Sequence, residues 1–132
     1  MRLDTLTLKS QEALRDAQQL AEEHHHQEIT CEHLLLALLG QEEGIVPSLL
    51  KKIGVDIAQL ARALSEDLAK RAKIYGDGSV QASLSRSAVA AINAAEKEAA
   101  RLGDQYVSTE HLLLGIVQQT KTPAAQRLAS AG

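Results

Sequence analysis

The chain has 132 residues, a net charge of −3, 45% hydrophobic residues and one cysteine. That length suits a single domain with a real core. The interspersed charge, with no basic patch, argues against nucleic acid as the main partner, and the lone cysteine rules out an intramolecular disulfide and fits a reducing compartment. With no Phe or Trp and only Tyr75 and Tyr106, the core must be Leu, Ile, Val and Ala. Small Ala positions let helices approach closely, so a compact all-α bundle is expected rather than a sheet. The opening Met1-Arg2-Leu3-Asp4 is not a signal peptide, and no apolar run approaches a membrane span. A cytoplasmic location is the expectation, with no membrane partner.

Thr7 is placed to cap a helix over 8–24, in which Ser10, Ala13, Leu14, Ala17, Leu20 and Ala21 recur at helical spacing. His24-His25-His26 follow as a polar connector. Thr30 caps a second helix, with Glu32 in its first turn, where the helix dipole favours a carboxylate. Leu34, Leu35, Leu36, Leu38 and Leu39 make it apolar nearly all round, so it should lie in the centre. Gly40 to Gly44 stop it. A short helix around 46–53 follows, with Pro47 in its first turn and Gly54 past its end. Asp56 caps a fourth helix over about 56–74, whose inward stripe is Ile57, Leu60, Ala61, Leu64 and Leu68.

Residues 75–83 hold two glycines and no helical pattern, and read as a hinge. Ser85 then caps a helix with Val89, Ile92, Ala95, Ala99 and Leu102 inward. Ser108 caps a second leucine-rich helix, and Pro123 opens a short one ending near Ala131.

The order of elements repeats because the sequence does. Thr30-Cys31-Glu32-His33-Leu34-Leu35-Leu36 returns 78 residues later as Ser108-Thr109-Glu110-His111-Leu112-Leu113-Leu114. The offset holds without a gap, and 13 of 49 positions are identical between 6–54 and 84–132. The reading is one domain over 1–132. Repeat 1 spans 6–54 plus the helix 56–74, the inter-repeat segment spans 75–83, and repeat 2 spans 84–132. The fold class is an all-α, pseudo-two-fold bundle of two four-helix repeats. The last helix of repeat 2 is missing, which suggests a fragment of a longer chain. Two half-bundles stacked on their apolar faces would leave surface grooves at the seam, natural places for a peptide.

The polar residues of the repeated motif allow two readings. Glu32 and Glu110 could hold a ligand, or could simply improve the helix dipole by about 0.3–1 kcal/mol. Thr7 and Ser85 face the same choice, because an N-cap accounts for their type. His33 and His111 read as structural residues at the repeat junction. His24-His25-His26 do not project to one point, and no second cluster completes a metal shell, so no metal site is assigned. Cys31 reads as a small packing residue. No catalytic constellation and no Walker A pattern occurs, so the chain should neither bind ATP nor act as an enzyme on its own.

The doubled [Thr/Ser]-x-Glu-His-Leu-Leu-Leu resembles the Clp N-terminal domain, the duplicated helical module that precedes the ATPase rings of Clp unfoldases. Met1-Arg2-Leu3-Asp4-Thr5-Leu6-Thr7, Gly44-Ile45-Val46, Ile53-Gly54-Val55 and Arg101-Leu102-Gly103-Asp104 support the resemblance. The opening and the inter-repeat segment look more like ClpB-type disaggregases than ClpC or ClpA. The resemblance implies a mobile module that recruits unfolded or aggregated polypeptides to AAA+ modules of the same chain. Those modules would bind ATP and Mg within a homohexamer. In ClpB-type domains the positions matching Thr7, Asp104 and Glu110 go with chaperone function, and apolar groove residues with unfolded substrate. Val80 and Leu84 are the apolar candidates here. In ClpC-type domains the carboxylates matching Glu32 and Glu110 receive phosphoarginine, which is one alternative. A stand-alone adaptor scaffold is another.

Overall fold

The computed structural model describes residues 3–73 and 82–131. A 3-10 turn, Leu3–Thr5, leads into α1, Leu8–Glu23. The two-residue strand β1, Glu28–Ile29, precedes α2 (Cys31–Leu39), α3 (Ile45–Lys52) and α4 (Ile57–Ala69). Strand β2, Ser83–Leu84, opens the second half, followed by α5 (Arg86–Arg101), α6 (Thr109–Gln118) and α7 (Pro123–Ala131).

The caps fall where the sequence puts them. The Thr7 hydroxyl accepts the Ser10 N–H, Asp56 accepts from Gln59 and Ser85 accepts from Ala88. Gly54 ends the α3 turn at φ +94°, a conformation that glycine adopts without steric cost. The fourth helix is shorter than expected: it ends at Ala69, with Lys70 as its cap.

Helix α2 is central, packed by α1, α4 and α7. All its residues are buried except Leu36, which is half-buried against the core. Leu34, Leu35, Leu38, Leu112, Ile116 and Ile92 form the middle of one continuous core. Each such side chain contributes about 1.5–3 kcal/mol on removal from water.

Helix α5 corrects the expected stripe. Its buried face is Ala88, Ala91, Ile92, Ala95 and Ala99, whereas Val89 is 42% and Leu102 54% exposed. Helix α6 explains the shift. A Cβ at Gly115 would lie 2.0 Å from the Ala91 carbonyl oxygen, so the two backbones touch and only alanines fit between them. A second correction concerns the histidine connector: His26 is not a surface residue but 1% exposed.

The bundle has seven α-helices among the described residues, and their packing is consistent with a duplicated unit. The left-handed residue after α1 is His25 (φ 59°), and its match after α5 is Gly103 (φ 77°), whereas Glu43 (φ 58°) has no left-handed match at Lys121. The packing differs too. No described element takes the position on α6 that α4 takes on α2, and Leu114 and Val117 of α6 stay 41% and 45% exposed.

Candidate functional site

Two junctions join the halves. At one, Leu6 pairs in parallel with Val107, and the Thr7 N–H donates to the Val107 carbonyl at 3.0 Å. At the other, β1 pairs in parallel with β2, matching Glu28 with Ser83 and Ile29 with Leu84. There the Ser85 N–H donates to the Ile29 carbonyl, also at 3.0 Å. The partners exchange under the 78-residue offset: Leu6 matches Leu84 and Ile29 matches Val107. Short parallel pairs of this kind have no periodicity to betray them, so the sequence did not reveal them.

Thr7 therefore does two jobs in the fold. It caps α1 and it anchors the first junction. Ser10 completes the network: its N–H reaches the Thr7 Oγ1 at 3.2 Å, and its hydroxyl donates to the Val107 carbonyl at 2.9 Å. Leu84 lies within the second junction, half-buried and packed on the core. Val80 lies outside the described residues.

Each histidine of the repeated motif closes a capping box. The Thr30 N–H donates to His33 Nδ1 and the Ser108 N–H to His111 Nδ1, both at 2.9 Å. A backbone N–H aimed at Nδ1 requires a lone pair there, so the ring proton sits on Nε2. From Nε2, His33 donates to His26 Nδ1 at 2.9 Å, and His111 donates to Asp104 Oδ2 at 2.9 Å. Asp104 and His26 are offset-matched. Asp104 thus braces His111, with half of its side chain still open to solvent.

The two glutamates part company. Glu32 is buried at 4% exposure, and its Oε2 accepts the Ala124 N–H at 3.2 Å. Besides the start of its own helix, it reaches the N-terminus of α7, which packs on α2. Burial pushes its carboxyl up, and the Ala124 N–H and Arg71 pull part of that back. Glu110 has a buried Oε1 with no partner among the described residues. Loss of Glu32 to alanine would orphan the buried Ala124 N–H, and should cost about 1–3 kcal/mol. Glu110→Ala removes no hydrogen bond from that Oε1 and should stay within about 0.5 kcal/mol. Urea midpoints of the two variants check the difference.

Thr7 binds Val107 next to α6, the Gln41 side chain donates to the Lys9 carbonyl at 2.8 Å, and α3 packs on α6. These contacts bring together the first turns of α1, α3 and α6. Leu8 is 76%, Ile45 51% and Tyr106 54% exposed around them. Sequence reasoning missed these three. Leu8 and Ile45 each open a helix beside a cap, the one place where an outward apolar residue could have been noticed.

The Glu32 side is polar instead. A cavity of about 580 Å3 opens between the starts of α2, α5 and α7, with Arg71, Arg86 and Lys121 among its lining residues. Cys31, buried nearby, has its thiol pushed up to about 11 by burial, which makes it an inert packing residue. Among the described residues no group of His, Cys, Asp and Glu could hold a metal ion, and no helix is long and apolar enough to cross a membrane.

An internally repeated all-α module, joined by two crossing junctions and braced by capping histidines, is a helical recognition domain in class. The family model described as the Clp repeat (R) N-terminal domain matches residues 5–131, and the chain belongs to that family. It is 37% identical over 121 residues to the chaperone protein ClpB of Bacillus cereus, covering 90% of this chain and 14% of that protein. The chain thus spans about a seventh of the length of the curated relatives it matches. Among solved structures, the Hsp104 N-terminal domain from Candida albicans aligns with a TM-score of 0.81 at 19% identity, covering 96% of this chain and 81% of that one. A ClpV N-domain in complex with a VipB peptide aligns at 0.74 and 22% identity, covering 97% of this chain and 77% of that one. At these identities the likeness speaks for the fold.

Proposed function

We propose that this module recruits substrate for a ClpB-type, ATP-driven disaggregase, binding exposed apolar segments of unfolded or aggregated proteins. The observation that carries the reading is the exposure of Leu8, Ile45 and Tyr106 at the starts of α1 and α3 and ahead of α6, the elements joined at the first junction. An apolar segment would cover the three side chains, and a basic side chain of the same segment would sit against the Glu110 carboxylate, one oxygen of which is buried. Thr7 and Asp104 hold that surface in shape: one fixes the strand-like crossing and the other locks the His111 cap. The ClpB relatives and the peptide complex of a ClpV N-domain support a polypeptide ligand. The parent assembly in this reading is a cytoplasmic homohexamer, whose six copies would turn weak single contacts into useful avidity. ATP and Mg belong to the AAA+ modules.

Phosphoarginine capture is the less favoured reading. A guanidinium needs a carboxylate with both oxygens available, and the phosphate needs cations beside it. Glu32 has the cations, but it is buried and already accepts the Ala124 N–H. Glu110 has an unpartnered oxygen, but that oxygen is buried too, and the offset-matched positions of Arg86 and Lys121 are Leu8 and Glu43.

Binding of reduced, carboxymethylated α-lactalbumin, a permanently unfolded chain, tests the proposal. Leu8→Ser with Ile45→Ser should weaken capture at least tenfold at an unchanged melting temperature, because both side chains are exposed. Unaltered capture by this double variant would sink the reading.

A further inference from the structure

The repeat has two junctions, and their chemistry has diverged. Around Glu110 the sequence sets Leu8 and Glu43, and around Glu32 the matched positions are Arg86 and Lys121. The first junction is apolar and acidic. The second is a concave, cation-rimmed cavity of about 580 Å3.

Charge accounting in that cavity leaves a surplus. Its charged lining is Arg71, Arg86 and Lys121 against Glu28 and Glu32. Arg71 is spent on Glu28 at 3.0 Å. Glu32 lies on the floor with Oε2 on the Ala124 N–H. Arg86 and Lys121 make no ion pair among the described residues, and they approach the space from two different elements, the start of α5 and the α6–α7 loop. The Ser87 hydroxyl stands beside them.

We infer that this cavity is a second binding site, which takes the carboxylates of an acidic polypeptide segment. The Arg86 guanidinium would hold one carboxylate by paired hydrogen bonds, and Lys121 would take another as a point charge. Two features select this ligand. Arg86 and Lys121, set against the one Glu32 carboxylate, leave a surplus of a single positive charge, which suits a short acidic segment and not an extended polyanion such as nucleic acid or an anionic membrane. The Glu32 carboxylate beneath them disfavours a phosphate dianion seated deep in the cavity. The site stands apart from the apolar surface proposed above. Together they would read one substrate chain at two points, an apolar stretch at one junction and an acidic flank at the other.

The test is a ¹⁵N-resolved titration of the whole chain with an acetylated, amidated hexapeptide of Asp and Glu, and separately with inorganic phosphate. The peptide should move the amides of Ser87, Lys121 and Thr122 and saturate, whereas phosphate at equal concentration should leave them in place. Arg86→Leu with Lys121→Glu, which installs the residues of the other junction, should weaken the peptide at least tenfold at an unchanged melting temperature. Leu8→Ser with Ile45→Ser should leave this titration as it is, so failure of one site does not carry the other. Equal shifts with phosphate, shifts scattered over the surface, no shifts at all, or full affinity in the swapped variant would each overturn the proposal.

Discussion

Gly115→Ala should destabilise the domain by about 3 kcal/mol, the upper end of what overpacking costs. The new Cβ would lie 2.0 Å from the Ala91 carbonyl oxygen, 3.0 Å from its carbon and 3.2 Å from the Ala95 nitrogen. All three are backbone atoms of α5, so no side chain can swing aside. Alanine gains about 1 kcal/mol of helix propensity over glycine, which offsets only part of the clash. The result should be α6 pushed away from α5, with the alanine face between them opened. The matched position in repeat 1 is Ala37, so a Cβ is tolerated there. Urea unfolding of Gly115→Ala measures the loss, and a variant as stable as the parent would mean the helices are not in backbone contact.

Acid should begin to destabilise the domain well above the range where carboxylates titrate. Burial, and then the neighbouring His26, Arg71 and His24, hold His33 down at about 3. His26 is lowered too, chiefly by burial. For a base whose folded pKa lies below its unfolded value of about 6.5, the unfolded chain takes up protons that the fold refuses. Stability is therefore full above pH 6.5 and falls as the pH drops from there towards 3. The slope from His33 is about 1.4 kcal/mol per pH unit, or about 2 kcal/mol by pH 5, and His26 adds to it in the same direction. Asp67, held down by Arg127, loses its stabilisation only at lower pH, whereas Glu32, raised by burial, takes up its proton more readily in the fold and offsets part of the loss at the acid end of a pH 7.5 to 4.5 series. His26→Asn keeps an acceptor for His33 Nε2 while removing one titrating ring. It should make the slope shallower. A profile flat between pH 6.5 and 4.5 would contradict the buried pair.

Local signals carried most of the helical architecture. Thr7, Thr30, Asp56 and Ser85 cap helices because a short polar side chain before an apolar period has few other uses, and the 78-residue offset announced two related halves. Errors arose where the cause lay far along the chain. The stripe drawn through Val89 and Leu102 followed hydropathy, which ranks them above alanine. The close approach of α6 reverses that order, and only Gly115 hints at it. His26 looked solvated among three polar neighbours, until a ring seven residues on claimed it. Glu32 was placed correctly in the first turn of α2, but its partner Ala124 lies 92 residues away and no spacing rule reaches it. The distinction between the glutamates, one engaged and one with a buried, unpartnered oxygen, is a tertiary fact. So is the gathering of Leu8, Ile45 and Tyr106.

That gathering is also what the functional proposal depends on. A ¹⁵N-resolved titration with an uncharged apolar peptide, such as acetyl-Leu-Val-Leu-Ser-Ile-Leu amide, maps it directly. Shifts should concentrate at Leu8, Ile45, Tyr106 and Glu110 and leave Ser87, Lys121 and Thr122 unmoved. Shifts confined to the exposed α6 residues Leu114 and Val117, or absent altogether, would contradict the assignment of the Glu110 junction as the substrate site.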